Sequence, residues 1–315
     1  MNFSQMIRFL PIYQSRVWGG RRMDLLAGHT LPDAATPIGE AWMISDRAEA
    51  QSKAADGITL HDLWTKHRAE VFGRNAPSCE RFPLLMKILD ACDDLSIQVH
   101  PPRDVAAALH GEPKTEMWFI AHAEPGAKIY AGLKSGVTRA DFERALQNGT
   151  VAEVVHVISP RTGDCLFIPS GRVHAIGAGL LIYEIQQNSD TTYRVFDWNR
   201  VDLDGQPRAL HVQESLRSID FDDCEPRVQQ TAPDGTLVKC EYFDVKLRDQ
   251  AGAAGQSGEG LTLAVTSGEV SVGGMILKAG DFALVPACLD AKAREVKPVR
   301  SGSQWLEVRI PSSCG

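Results

Sequence analysis

The sequence predicts a mainly β protein of two domains, each a sandwich or barrel, with a few helices inserted mostly in the N-terminal half. Three observations carry this. Short apolar runs rich in β-branched and aromatic residues recur along the 315 residues, with 27 glycines and 17 prolines spread between them rather than gathered in a linker. Helical patterns are few and cluster early. A pattern of Gly-Asp, apolar strand and Pro occurs twice, once in each expected domain.

The runs that read as strands are 95–99, 117–120, 154–158, 166–168 and 181–185, then 237–240, 261–265, 270–272, 282–285 and 305–310. Helices are expected over 59–68 with Thr59 as cap, over 103–111, over 138–148 and over 210–219. The third has Thr138 as N-cap, Asp141 in its first turn and Asn148-Gly149 as its stop. In the repeat, Gly163-Asp164, the run 165–168, Pro169, Gly171 and His174 return as Gly280-Asp281, 282–285, Pro286, Cys288 and Ala291. Only the first copy keeps a side chain for chemistry. Boundary candidates at 202–207 and 222–226 divide the chain into residues 1–220 and 221–315, and the Gly/Ala/Ser stretch 251–260 reads as a mobile hairpin loop in the second domain.

Composition excludes several functions. Hydrophobic residues at 43% and charged ones at 23% are the balance of a chain with a sizeable core. A net charge of −7 provides no basic field for nucleic acid. No apolar run approaches the ~18 residues of a membrane helix, and the N-terminal residues lack the pattern of a signal peptide. The seven scattered cysteines form no CxxC pair, which points to reduced thiols and a cytoplasmic location. Nothing in the sequence bears on oligomeric state.

Strand alternation singles out the chemistry. Gln98 and His100 project from one face of 95–99 while Ile97 and Val99 take the other, and Lys114 and Glu116 likewise share a face. Taken singly, each pair could be an ordinary hydrogen-bonded or ionic strand pair. His174 follows a tight Pro-x-Gly turn. Together these residues supply one amide oxygen, two imidazoles and one carboxylate, a mixed N/O set that suits Zn²⁺ with an open position and also fits Mn²⁺, Fe²⁺ or Co²⁺. Trp18, Trp42 and Trp118 read as core or cavity walls, and His110, His122, His156 and His211 as structural or surface groups.

These segments resemble the type I phosphomannose isomerases of the cupin superfamily, in particular their short bacterial members. Gly163–His174 matches the second cupin motif, and Gln98-x-His100 with Glu116 matches that family's variant of the first. The likeness extends through 17–20, 39–42, 82–91 and 183–198, with Ala41 where the family usually has Ser and Ala178 where a cupin Asn is expected; beyond about residue 225 it is weak. It implies two cupin-type (jelly-roll) β-barrels, the second degenerate and without a metal site. It also implies one Zn²⁺ per chain, held by Gln98, His100, Glu116 and His174, with Arg194 as the catalytic arginine and Lys87, Ser96, Lys114, Glu184 and Arg200 around the substrate. The implied reaction is the interconversion of mannose 6-phosphate and fructose 6-phosphate through a cis-enediol.

Such a reaction moves a proton between C1 and C2. A guanidinium stays protonated, so Arg194 suits charge stabilisation rather than the role of base. Glu184 and Lys114 are the candidates for proton transfer, with a metal-activated water as a third. Lys87, Ser96 and Arg200 are expected to hold the phosphate. Lys87, Lys114, Arg194 and Arg200 with the metal are then expected to form a cationic pocket inside an acidic shell. The alternatives are a metal-dependent isomerase or epimerase of another, possibly unphosphorylated, sugar, and a non-catalytic cupin that binds a sugar phosphate.

Overall fold

The computed structural model describes residues 3–26 and 29–312, so Cys314 lies outside the described residues. Of the five β-sheets among the described residues, the four larger ones stack in layers. The first has five strands in the order Val155–Ile158, Ile129–Leu133, His174–Ile176, Ile97–Val99 and Tyr193–Phe196. The second has six, ordered Cys165–Ile168, Glu116–Ala123, Leu180–Gln187, Leu84–Ala91, Ile12–Gly20 and Ile38–Ile44. Apolar side chains from the facing sides of these two sheets, among them Leu89, Trp118, Ile120, Ile129, Ile176 and Ile182, make the first domain's inner core.

The outer face of the five-stranded sheet is covered by helices. Ile97, Val99, Ala175 and Val195 pack there with Phe142 and Leu216. Phe142 belongs to the helix Arg139–Asn148, which starts on a capping box between Thr138 and Asp141 and stops at Gly149 in the left-handed region, as its sequence predicts. Leu60–Lys66 is likewise capped by Thr59. Two expected helices are shorter than predicted: 103–111 is one α turn, Arg103–Ala106, followed by a 3₁₀ turn, and the last is Val212–Ser218.

The other side of the six-stranded sheet packs on the second domain. Met86, Ile88, Met117, Phe119, Tyr183 and Ile185 meet Phe243, Val245, Phe282, Leu284, Leu306 and Val308 in one core. Leu84–Ala91 is therefore buried on both faces at every residue. Its apolar residues therefore lack the strict alternation that marks a half-buried strand, and only Lys87 and Asp90 interrupt them.

The second domain is a six-stranded sheet stacked on the four strands Gly252–Ala253, Glu295–Pro298, Glu269–Val272 and Met275–Lys278. Each domain is a pair of sheets, unclosed by strand pairing among the described residues, in the jelly-roll style of the cupin-type fold expected. The repeat is structural. Gly163 and Gly280 have φ of +93° and +97°, Asp164 and Asp281 each accept a backbone N–H from three residues earlier, and each turn leads into a strand, Cys165–Ile168 or Phe282–Val285.

Two features depart from the sequence reading. Ile7–Arg8 pairs with Phe282–Val285, so the start of the chain completes a sheet of the second domain. The stretch 251–260 is pinned. Gly252–Ala253 pairs with Val296 and Glu295, and the buried Arg294 guanidinium donates to the carbonyls of Ala254, Pro286 and Glu259. Its small residues suggest freedom, but a distant arginine removes it.

Candidate metal centre and active site

The donor residues come together because two rows of side chains face each other across the first domain. On the five-stranded sheet, His174 and Arg194 are each in register with Gln98. Residues in register share a face, and His100 follows two places after Gln98 on that side. On the six-stranded sheet, Trp118, Glu184, Lys87 and Trp42 lie in one transverse row, and Glu116 is opposite Gln186 in the next.

His100, Glu116 and His174 bring their ligand atoms within 4.8 Å of one another, all buried. His100 Nε2 is 3.5 Å from Glu116 Oε2, and His174 Nε2 is 3.5 Å from Glu116 Oε1. The amide of Gln98 is 3.3 Å from His174 Nε2. Each imidazole is oriented from behind: His100 Nδ1 donates to the carbonyl of Thr191 at 2.8 Å, and His174 Nδ1 to that of Arg172 at 2.9 Å. These bonds place the proton on Nδ1 and turn the Nε2 lone pair toward the cluster. Gly171, at φ +93°, makes the turn before His174, and its N–H donates to His100 O, so the two histidines are laced through backbone.

His100 Nε2 and both carboxylate oxygens of Glu116 are buried and make no hydrogen bond. Orphaned buried groups of this kind are costly unless something binds them. Two imidazole lone pairs, a carboxylate and an amide are the donor set of a divalent cation such as zinc, and the residues fit one. Burial, with Lys114 adding to it, pushes His100 down to about 3 and keeps it neutral. Burial alone would raise Glu116, but the Lys114 ammonium 3.1 Å away outweighs it and holds the carboxylate ionised.

Beside the cluster lies a cavity of about 310 Å³, whose wall includes Gln98 and Lys114 as well as Ser96, Lys87, Glu184 and Arg194. Glu116, His100 and His174 form its buried flank, so every expected site residue except Arg200 lies on the wall or in the cluster. Lys114 Nζ lies 3.1 Å from Glu116 Oε2. Burial opposes its charge, but Glu116, Glu184 and Asp190 prevail and raise its pKa. Glu184 Oε1 accepts the indole N–H of Trp118 at 3.0 Å, while Oε2 is buried without a hydrogen bond. Burial and then Glu116 raise the Glu184 pKa against the pull of Lys114 and Lys87.

Two residues sit otherwise than expected. Arg200 is not on the cavity wall: its guanidinium is held by Asp197 and Asp93. Lys87 does line the cavity, but its ammonium sits between Glu40 and Glu184 at 3.4 and 3.5 Å and over the Trp42 ring. The cavity wall therefore carries carboxylates among its cations. Glu40 and Arg208, also on the wall, went unassigned in sequence. The alternation of Glu40 with Trp42 on an otherwise apolar strand was a usable signal for the first. Arg208 lies in a loop and had none.

The sequence profile "Phosphomannose isomerase type I, catalytic domain" matches residues 6–114. Mannose-6-phosphate isomerase ManA of Bacillus subtilis is 37% identical over 300 residues, covering 88% of this chain and 92% of ManA. The chain belongs to the type I phosphomannose isomerase family. It is thus an enzyme of the aldose–ketose isomerase class. Within this family the crystal structure of the Bacillus subtilis mannose 6-phosphate isomerase superposes with a TM-score of 0.85 at 30% identity, covering 97% of this chain and all (100%) of that one. A mannose 6-phosphate isomerase structure bound with zinc and yttrium has the same fold, with a TM-score of 0.74 at 18% identity over 98% of this chain and 100% of that one.

Proposed function

We propose that the chain interconverts mannose 6-phosphate and fructose 6-phosphate by moving a proton between C1 and C2 through a cis-enediol. One Zn²⁺ per chain would be held by Gln98, His100, Glu116 and His174. The observation that carries this reading is the set of buried, unbonded donor atoms on His100 and Glu116 flanking a cavity that also presents Glu184, Lys114 and Arg194. When bound, the metal supplies Lewis acidity toward the sugar's carbonyl oxygen.

The remaining steps fall to the chain's own groups. Glu184 Oε2 has no hydrogen-bond partner, and its raised pKa suits a carboxylate that takes a proton from carbon and returns it to the neighbouring carbon. Lys114 is held protonated by its carboxylate neighbours, which suits a donor to the developing enediolate oxygen and not a base. Arg194 lines the same cavity and adds a fixed positive charge. The six described cysteines are free thiols, which supports a cytoplasmic location.

A coupled assay with zinc-loaded protein tests the assignment. Mannose 6-phosphate is expected to give fructose 6-phosphate, with loss of turnover on chelation. His100→Ala should lose the metal, and Glu184→Gln should keep it while kcat falls by about 10²-fold or more. Absence of turnover by the zinc-loaded protein would sink the assignment, and equal turnover of free mannose would move it to an unphosphorylated substrate.

A further inference from the structure

A sugar phosphate carries a dianion, and the cavity must seat it. Five cationic side chains stand on the wall: Arg16, Lys87, Lys114, Arg194 and Arg208. Three of them already face carboxylates at the site. Arg16 Nε donates to Glu40 at 2.9 Å, Lys87 lies between Glu40 and Glu184, and Lys114 is 3.1 Å from Glu116. Arg200, the cation expected for this task, is off the wall and bound to Asp197 and Asp93.

Arg194 and Arg208 remain. Arg194 Nη1 donates to the carbonyl of Ala209 at 2.9 Å, and its Nε is buried with no acceptor. Arg208 gives Nε and Nη2 to the two oxygens of Asp197 at 2.7 and 2.5 Å, and its Nη1 has no protein acceptor among the described residues. Asp197 is itself buried and is not on the wall. Its two-point grip fixes the plane of the Arg208 guanidinium while leaving one edge for a ligand. Two like charges are thus held on one wall, each with an N–H lacking an acceptor; an anion would satisfy both. Asp190 and Asp202 share that wall, so the seat is confined to the arginine pair.

We infer that Arg208 is the residue that recognises the substrate's phosphate, next to Arg194, and that Asp197 is the positioning residue that aims it. This rests on the proposed sugar-phosphate chemistry, and the test separates the two. Arg208→Gln and, as a milder change, Arg208→Lys are compared with the zinc-loaded wild type in two measurements: steady-state kinetics with mannose 6-phosphate, and calorimetric binding of inorganic phosphate. For Arg208→Gln, KM is expected to rise by about tenfold or more with a much smaller change in kcat, and phosphate affinity to fall by a similar factor. Arg208→Lys should recover part of both. Asp197→Asn should shift KM and phosphate affinity in the same direction as Arg208→Gln, by less, with zinc content and melting temperature close to wild type.

Unchanged KM and phosphate affinity in Arg208→Gln, or a wild type that binds no phosphate, would overturn the inference. A loss of kcat alone would also overturn it. If the wild type fails to turn over mannose 6-phosphate but its phosphate binding depends on Arg208, the anion seat stands and the substrate assignment falls.

Discussion

Glu40 shows how one buried carboxylate organises a site. It accepts from Arg16 Nε and from the Trp42 indole at 2.6 Å, and lies 3.4 Å from Lys87 Nζ. Burial alone would raise its pKa, but Lys87, Arg16 and the indole outweigh that and bring it down from 4.5 to about 2. Because the folded value is depressed, its stabilisation is complete above the unfolded value near 4.5 and is lost as pH falls through 2. The drop corresponds to about 3 kcal/mol. Chemical denaturation from about pH 5 to 2 should therefore show a steeper loss of stability in the wild type than in Glu40→Gln; parallel curves would mean that Glu40 does not carry this pH dependence. At this scale the alternation and a turn motif single out Gln98, His100, Glu116 and His174 as candidate donors. Glu40 went unassigned although it alternates with Trp42, because its charged partners Arg16 and Lys87 come from other strands.

At the scale of the element, the turn before His174 is the sensitive joint. Gly171 has φ +93° and donates to His100 O, whereas Gly57, also at positive φ (+88°), has open space where a side chain would project. Gly171→Ala and Gly57→Ala should each cost about 1–2 kcal/mol in stability, since both force an L-residue into the left-handed region. Only Gly171→Ala should also weaken zinc binding, measured by competition with a chelator. Equal zinc affinity in the two variants would show that the turn does not set the histidine pair. Helices and caps were predictable here because Thr59 and Thr138 act within one turn of their own chain. The strand Leu84–Ala91 was not, because its two buried faces erase the alternation on which the prediction depends.

At the scale of the whole molecule, the second domain has the first domain's turn-and-strand device without its ligand, and it supplies packing. Phe282 stacks on Tyr183 with ring centroids 5.6 Å apart, and the Tyr183 hydroxyl donates to Val265 O. Tyr183 adjoins Glu184 but faces the other way. Phe282→Ala should therefore cost about 3–5 kcal/mol in thermal or denaturant unfolding, while KM and zinc content stay unchanged in the protein that remains folded. A large shift in KM would mean that the second domain tunes the site instead of supporting its sheet.

The mainly β class, the duplicated turn and the candidate metal donors are written in the sequence itself, since strand period, turn chemistry and a short motif are local properties of the chain. Tertiary structure decided the rest. It stacked the sheets in pairs, brought the first strand onto the second domain, tied Arg200 to aspartates and put Arg208 on the cavity wall. Which cation faces a cavity depends on where a distant carboxylate holds it. Asp197 settles that here, through contacts that spacing along the chain does not encode.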